Sequence, residues 1–310
     1  MISMHKHTTT ILLCMSVLIA CAWVNSGRCA LTQSNIHKKL PLSPSSCVLL
    51  VSDQVDGVSD PQFFDSAYIS AILQNNFAYV LWDHNIYGSP TLDDLQPYSA
   101  IIWYTGNSGQ YPADNPNYGH LTLTLDEEET LVNYLNTGDQ DRILILSGIW
   151  IAWNCVANAD THTQLYSDLF SHMLGLSYTE DNFFTGWIDV DDDWTIVGVG
   201  DEFYGSTTYE LDWASDYNYP DQLEAVSPGN VTATWQDPSY ISHHYSCIYA
   251  EGVKDSGIGM YHLALLSCPV ESIKDTDLRN EIIYNLLLWG GTHTIGIEPV
   301  SVGEIKSLFR

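Results

Sequence analysis

The stretch Arg142-Ile-Leu-Ile-Leu-Ser-Gly148 constrains this chain more than any other. Four consecutive large apolar residues, closed by a small-residue turn, read as a strand buried on both faces. Such strands belong to parallel sheets covered by helices. Three further runs have the same character. Cys47-Val-Leu-Leu-Val-Ser-Asp53 ends in polar residues, Ala78-Tyr-Val-Leu-Trp82 leads into Asp83, His84 and Asn85, and Ala100-Ile-Ile-Trp-Tyr104 runs into a Gly-containing turn at 105–109. In an open α/β sheet, chemistry collects at the carboxyl ends of the strands. The turn after Gly148 is therefore the first place to look for a nucleophile.

Helical signals alternate with these strands. Phe64, Tyr68 and Ile72 fall at helical spacing, and Leu92 to Leu95 suits one short helix. Thr124 with Glu127 three residues on makes a capping box, Asp126 to Glu129 set negative charge at the positive end of the helix dipole, and Gly138 suits the position after the helix. These acids thus have a structural role. Tyr166 to Leu174 predicts a helix that stops at Gly175, and Thr276 to Trp289 an amphipathic helix closed by Gly290-Gly291. Ser246 to Ala250 and Met260 to Leu266 read as strands joined by a Gly-rich connection. Between about 178 and 245, helical periodicity gives way to Gly, Asp, Asn and aromatic residues, which predicts a β-rich, aromatic-rich insertion or extension of the sheet. The expected fold class is α/β, a doubly wound, mostly parallel sheet.

Charge narrows the partners. The 310 residues carry 10 Lys and Arg against 38 Asp and Glu, a net charge of −28, and between Cys47 and Gly290 the only Lys or Arg are Arg142, Lys254, Lys274 and Arg279. Such a surface repels phosphate backbones and anionic lipid heads, so no nucleic acid partner is expected, and a membrane only through a lipid anchor. Asp189, Asp191 and Asp193, with Asp201 and Glu202 nearby, are candidate calcium ligands. They lack EF-hand spacing, and the alternative is a solvated acidic loop; no other cofactor is expected. The aromatic residues between 183 and 235, Phe203, Tyr204 and Trp235 among them, offer stacking faces to a carbohydrate or protein at the cell surface, or form the core of the insertion itself.

The amino terminus predicts export. Residues 1–29 read as a signal peptide whose apolar run, Ile11 to Val24, is short for a membrane span. Leu18-Ile-Ala-Cys21 resembles a lipobox, which would make Cys21 the lipid-anchored first residue of the mature chain. Small residues from Ser26 to Ala30 offer ordinary cleavage instead. Residues 30–46 form a linker, 47–290 the α/β domain and 291–310 a tail, and the expected location is secreted or cell-surface. Cys29, Cys47, Cys155, Cys247 and Cys268 show no CxxC and no repeated framework, and read mostly as buried small hydrophobes.

Taken in order, Val48-Leu-Leu-Val-Ser-Asp53, Ala100-Ile-Ile-Trp-Tyr-Thr-Gly106, Leu125-Asp-Glu-Glu-Glu-Thr-Leu131 and Arg142-Ile-Leu-Ile-Leu-Ser-Gly148 resemble the class I glutamine amidotransferase-like (flavodoxin-like) fold. More narrowly, they resemble its divergent members in secreted bacterial proteins, including those attached to immune-inhibitor-A-type metallopeptidases. Catalytic members carry a Gly-x-Cys-x-Gly elbow after the fourth strand and a late His-Pro-Glu. Here Gly148-Ile-Trp-Ile-Ala152 puts Trp150 in the position of the nucleophile, and Ser267-Cys-Pro-Val-Glu271 puts Cys268 in that of the histidine. The resemblance thus implies a scaffold without that reaction. The expected function is an exported, non-catalytic binding or accessory domain. The alternative is a cysteine hydrolase or peptidase built on Cys155 with His262 and Glu271, His243 and His244 being other candidate bases. Ser147 lacks the Gly-x-Ser-x-Gly context, and His243-His244 would point to opposite faces of a strand rather than share a metal.

Overall fold

A computed structural model describes residues 47–54, 61–106, 122–148, 151–152, 155, 167–180, 195–200, 203–211, 222–236 and 244–291. The expected leader, the linker and all of the tail beyond Gly291 lie outside these residues. Among the described residues, no helix is long and apolar enough to cross a membrane.

Eleven strands join in one sheet: β1 (Cys47–Ser52), β2 (Ala78–Asp83), β3 (Ala100–Gly106), β4 (Arg142–Gly148), β5 (Leu176–Glu180), β6 (Thr195–Gly198), β7 (Thr208–Glu210), β8 (Gln222–Ala225), β9 (Asn230–Gln236), β10 (His244–Val253) and β11 (Met260–Leu266). The order is β2-β1-β3-β4-β11-β10-β9-β6-β7, with β8 beside β10 and β5 beside β8. Every pairing from β2 to β11 is parallel and every pairing beyond it antiparallel. The sheet is therefore mixed. The parallel half is the part whose strands read as continuous apolar runs: β1, β3 and β4 are buried along their whole length, while β2 at the edge is mostly half-exposed. The antiparallel half contains the described strands of the aromatic-rich region, β5 to β9. A short Gly-rich turn such as the one joining β10 to β11 returns the chain alongside itself, whereas a parallel partner needs a long crossover.

The helices are α1 (Pro61–Gln74), α2 (His84–Tyr87), α3 (Leu92–Leu95), α4 (Leu125–Asn136), a π-helical segment (Ser167–Leu174), a 3-10 turn (Val270–Ser272) and α5 (Thr276–Trp289). Side chains alternate across the sheet, and each face has its own core. Val48, Leu50, Ile102 and Ile145 pack with Tyr68 and Ile72 of α1 and with Ile282, Ile283 and Leu286 of α5. Leu49, Val51, Ile101, Leu144 and Leu146 pack with Leu95 of α3, Leu131 and Leu135 of α4, and Phe170 of the π segment. The expected capping box is present, with Thr124 accepting from the Glu127 amide and Gly138 at φ +73° beyond the helix. Phe203 and Tyr204 are buried in the first core, Phe203 edge-on to Tyr249 and Trp289. Cys47, Cys155, Cys247 and Cys268 are buried and form no disulfide.

Two of the four cations are consumed at the amino ends of the strands. Arg142 donates to the Gln96 and Tyr98 carbonyls and lies over the Tyr134 ring. Lys254 donates to the carbonyls of Thr137 (3.0 Å), Gly138 (3.4 Å) and Gln140 (2.5 Å), closing the end of α4, and burial lowers its pKa to about 8.

Candidate functional site

The parallel register places Asp83, Ser52, Tyr104, Ser147 and Leu266 in one row at the carboxyl edge. The chain leaves β1 for β2 on one side and returns to β3 on the other, so the switch point of the sheet lies at the ends of β1 and β3. Asp53 follows β1 directly, and its amide donates to the Tyr104 carbonyl at 3.0 Å. His84 opens α2 just past β2, and Glu127 is the third residue of α4.

These three side chains meet. His84 Nδ1 is 3.3 Å from Asp53 Oδ1, and His84 Nε2 is 3.0 Å from Glu127 Oε1 and 3.2 Å from Ser89 Oγ. Each carboxylate is held by its other oxygen. Trp103 Nε1 donates to Asp53 Oδ2 at 3.0 Å, while the amide and hydroxyl of Thr124 donate to Glu127 Oε2 at 2.7 and 2.8 Å. Asn85 Nδ2 donates to the Gln54 carbonyl at 2.7 Å, tying α2 to the end of β1.

Electrostatics follow from this placement. Burial pushes the Asp53 carboxyl up to about 7, helped by Glu127 and opposed by His84 and the Trp103 N–H. The bond to Glu127 raises the His84 pKa against burial, with Asp53, Glu127 and Asp83 adding to the rise. For Glu127 burial opposes ionisation, but the bonds from His84, Thr124 and Ser89 outweigh it, and its pKa is lowered. The result is an imidazole between an ionised carboxylate and one that titrates near neutrality. Such a group can bind a cation, accept hydrogen bonds from a hydroxylated or cationic ligand, or pass a proton.

A second polar network lies across the sheet. Ser52 Oγ donates to Asp65 Oδ1 at 3.0 Å, Gln54 Nε2 reaches the same oxygen at 3.3 Å, and the Tyr104 hydroxyl donates to it as well. The Tyr68 hydroxyl bridges Ser147 Oγ, at 2.7 Å, and Glu271 Oε2, and its ring stacks on Tyr104 at 4.4 Å. Burial holds Tyr68 protonated, its pKa well above the usual value. Ser147 is itself buried, and the group bonded to its hydroxyl is a neutral phenol rather than a base.

The residues of the cysteine hydrolase alternative do not converge. Cys155 is buried in the core that contains α4, its sulfur 4.0 Å from Thr122 Oγ1 and bonded to the Glu128 side chain. His262 stands in the row of Val48, Ala100 and Ile143 near the amino edge. It is 3.4 Å from Glu251 and edge-on to Trp289, whose ring packs against the other core. Glu271 lies beyond the carboxyl end of β11, bonded to the Tyr68 hydroxyl that also meets Ser147. Ile143 and Ser147 are four residues apart on β4, so the row of His262 and that of Ser147, which Glu271 reaches through Tyr68, lie about 13 Å apart along the strands. Trp150, His243 and the calcium candidates Asp189, Asp191 and Asp193 lie outside the described residues, and for His244 only the backbone is described. Cys268 is buried, its sulfur 3.4 Å from Ser272 Oγ, and burial raises its pKa well above the ordinary thiol value.

Sequence reasoning assigned Glu127 to capping alone. One of its oxygens does cap α4, and the other faces His84. The signal that finds the site is a polar residue at the carboxyl end of each of two neighbouring strands, Asp53 and His84, combined with an acid in the first turn of the helix that follows β3.

An α/β domain with a mixed sheet and a carboxylate–imidazole–carboxylate group at its carboxyl edge is thus the class that fold and site define. No protein-family model and no curated protein matches the chain. Among solved structures it is similar to Agd3, a carbohydrate deacetylase (10% identity, TM-score 0.46, 78% of this chain), of which it spans 32%. It is also similar to the N-terminal domain of mmIFT52 (16% identity, TM-score 0.46, 80% of this chain and 99% of that one). A third similar structure is a ThuA-like protein from Bacteroides uniformis (11% identity, TM-score 0.46, 82% and 94%). These likenesses are compatible with the α/β architecture, which stands on its own strand order, and they add nothing to the chemistry of the site.

Proposed function

We propose that the chain is an exported, non-catalytic binding or accessory domain of doubly wound, glutamine amidotransferase-like type, with its ligand seat at the carboxyl ends of β1, β2 and β3. The observation that supports this most is His84 held between Asp53 and Glu127 at the switch point, where open α/β sheets receive ligands. Two carboxylates and one imidazole suit a hydroxyl-rich or cationic ligand, such as an amino sugar or a basic peptide segment of a cell-surface partner. The association with immune-inhibitor-A-type metallopeptidases stays with the sequence resemblance, since neither strand order nor site geometry bears on it.

The binding test is two-dimensional NMR of the full chain with amino sugars, neutral oligosaccharides and basic peptides. Shift changes are expected at the amides of Asp53 and His84 and at the Trp103 indole N–H. A bound ligand that leaves these signals unmoved overturns the proposed seat. The non-catalytic part is tested with iodoacetamide on native protein. Cys155 is fully buried and is expected to react only after unfolding. Stoichiometric native labelling that falls on His262→Ala would restore the hydrolase.

A further inference from the structure

We propose that Asp53, His84 and Glu127 hold a single divalent first-row transition-metal ion, bound by three protein ligands with the remaining position open to a ligand or water. This deepens, and rests on, the reading of the same crevice as the ligand seat.

Three features of the geometry point to an ion. One donor atom from each residue falls within 4.8 Å of the others, although the three come from a strand end, a short helix and a long helix. Each carboxylate is oriented by a donor on the oxygen that faces away from the imidazole: Trp103 Nε1 for Asp53, and the Thr124 amide and hydroxyl for Glu127. That division of labour, with one oxygen anchored and one presented, is how outer-shell hydrogen bonds orient metal ligands. Third, Arg142 and Lys254 are bonded to carbonyls at the amino ends of the strands, and Lys274 reaches Glu210, so none of these three cations neutralises the group.

The donor set selects the class of ion. One imidazole nitrogen with two carboxylate oxygens suits zinc, manganese or iron(II), whereas calcium takes six to eight oxygens and has little use for imidazole. Three protein ligands leave zinc one short of its usual four, the arrangement of sites that bind a further group. The His84 side chain is 28% exposed, so the open side faces solvent. Binding requires His84 to present a ring nitrogen without its proton, and a proton displaced from the imidazole passes to water.

The test is isothermal titration calorimetry of full-length protein, freed of metal with EDTA and dialysed, with zinc chloride at neutral pH, alongside His84→Ala and Asp53→Asn. Wild type is expected to bind zinc one to one at this site and to gain melting temperature. Each variant is expected to lose that binding event and the gain. Trp103→Phe, which removes only the anchor on Asp53, is expected to keep the stoichiometry and bind about 10- to 100-fold more weakly. The site is read as the difference between wild type and His84→Ala, which removes any signal from exposed carboxylates elsewhere in this acidic chain. Cobalt(II) absorption spectra provide a second readout that does not depend on stability: ligand-field bands in wild type should vanish in His84→Ala. Zinc binding of equal affinity and stoichiometry in wild type and both variants overturns the proposal, as does no binding at all. NMR mapping of organic ligands in the presence of EDTA separates the two readings. Shifts confined to Asp53, His84 and Trp103 without metal retain the ligand seat even if the metal site fails.

Discussion

Replacing Glu128 with glutamine is expected to stabilise the protein by about 3 kcal/mol at pH 8 and to change it little at pH 4. Glu128 is fully buried in the first turn of α4, against the core that contains Cys155. Burial is the main cause that raises its pKa from 4.5 to about 7; the Cys155 bond opposes the rise and the neighbouring Glu127 adds to it. The dipole of α4 favours a carboxylate here by only about 0.5 kcal/mol, too little to reverse the burial.

A folded-state pKa above the unfolded value means that the folded protein holds the proton more tightly. The contribution of Glu128 is therefore fully present below about pH 4.5, is lost as pH rises to about 7, and stays lost above that. Glutamine is neutral throughout and escapes the loss. Urea unfolding of wild type and Glu128→Gln at the two pH values measures the difference. An equal change at both would show that the carboxyl is not the cause.

Tyr68→Phe is expected to cost about 2 kcal/mol or more, because one hydroxyl serves two buried groups from distant parts of the chain. It bridges Ser147 at the end of β4 to Glu271 in the 3-10 turn after β11, and so links α1 to both. Phenylalanine keeps the volume and the stack on Tyr104, leaving the lost hydrogen bonds as the main change. Tyr134→Phe is the internal control. Its hydroxyl makes long bonds to the Tyr98 and Ile143 carbonyls, at 3.2 and 3.4 Å, beside the Arg142 guanidinium, which also bonds to it, and about 1 kcal/mol is expected. Equal losses in the two variants would mean that the Tyr68 bridge has no special weight.

The two networks explain why the parts of this protein differ in legibility. The Cys47, Ala100 and Arg142 runs announce buried strands because their central residues pack alternately into one core or the other. Thr124 and Glu127 announce a helix start because a cap is made between neighbours in sequence. The aromatic region gave its β character but not its pairing: β8 and β9 both join β10, and that choice depends on which edge the parallel half leaves open. The hydrolase candidates looked plausible in one dimension because Cys, His and Glu occur in a suitable order. Strand alternation and the length of β4 then separate them, since one residue of offset changes the face and four change the edge.

Asp53 and His84 were visible as polar strand ends, and Glu127 as half of a capping box. What the sequence determined by itself is everything that neighbours within a few residues can settle: the apolar runs, the caps, the turns at Gly138 and Gly175, and the acidic balance. Only the tertiary structure decided that Asp53, His84 and Glu127 share one point. Their meeting requires β2 and β3 to take opposite sides of β1 and α4 to bring its first turn over the gap. That outcome is set by the summed packing of two cores rather than by any local preference.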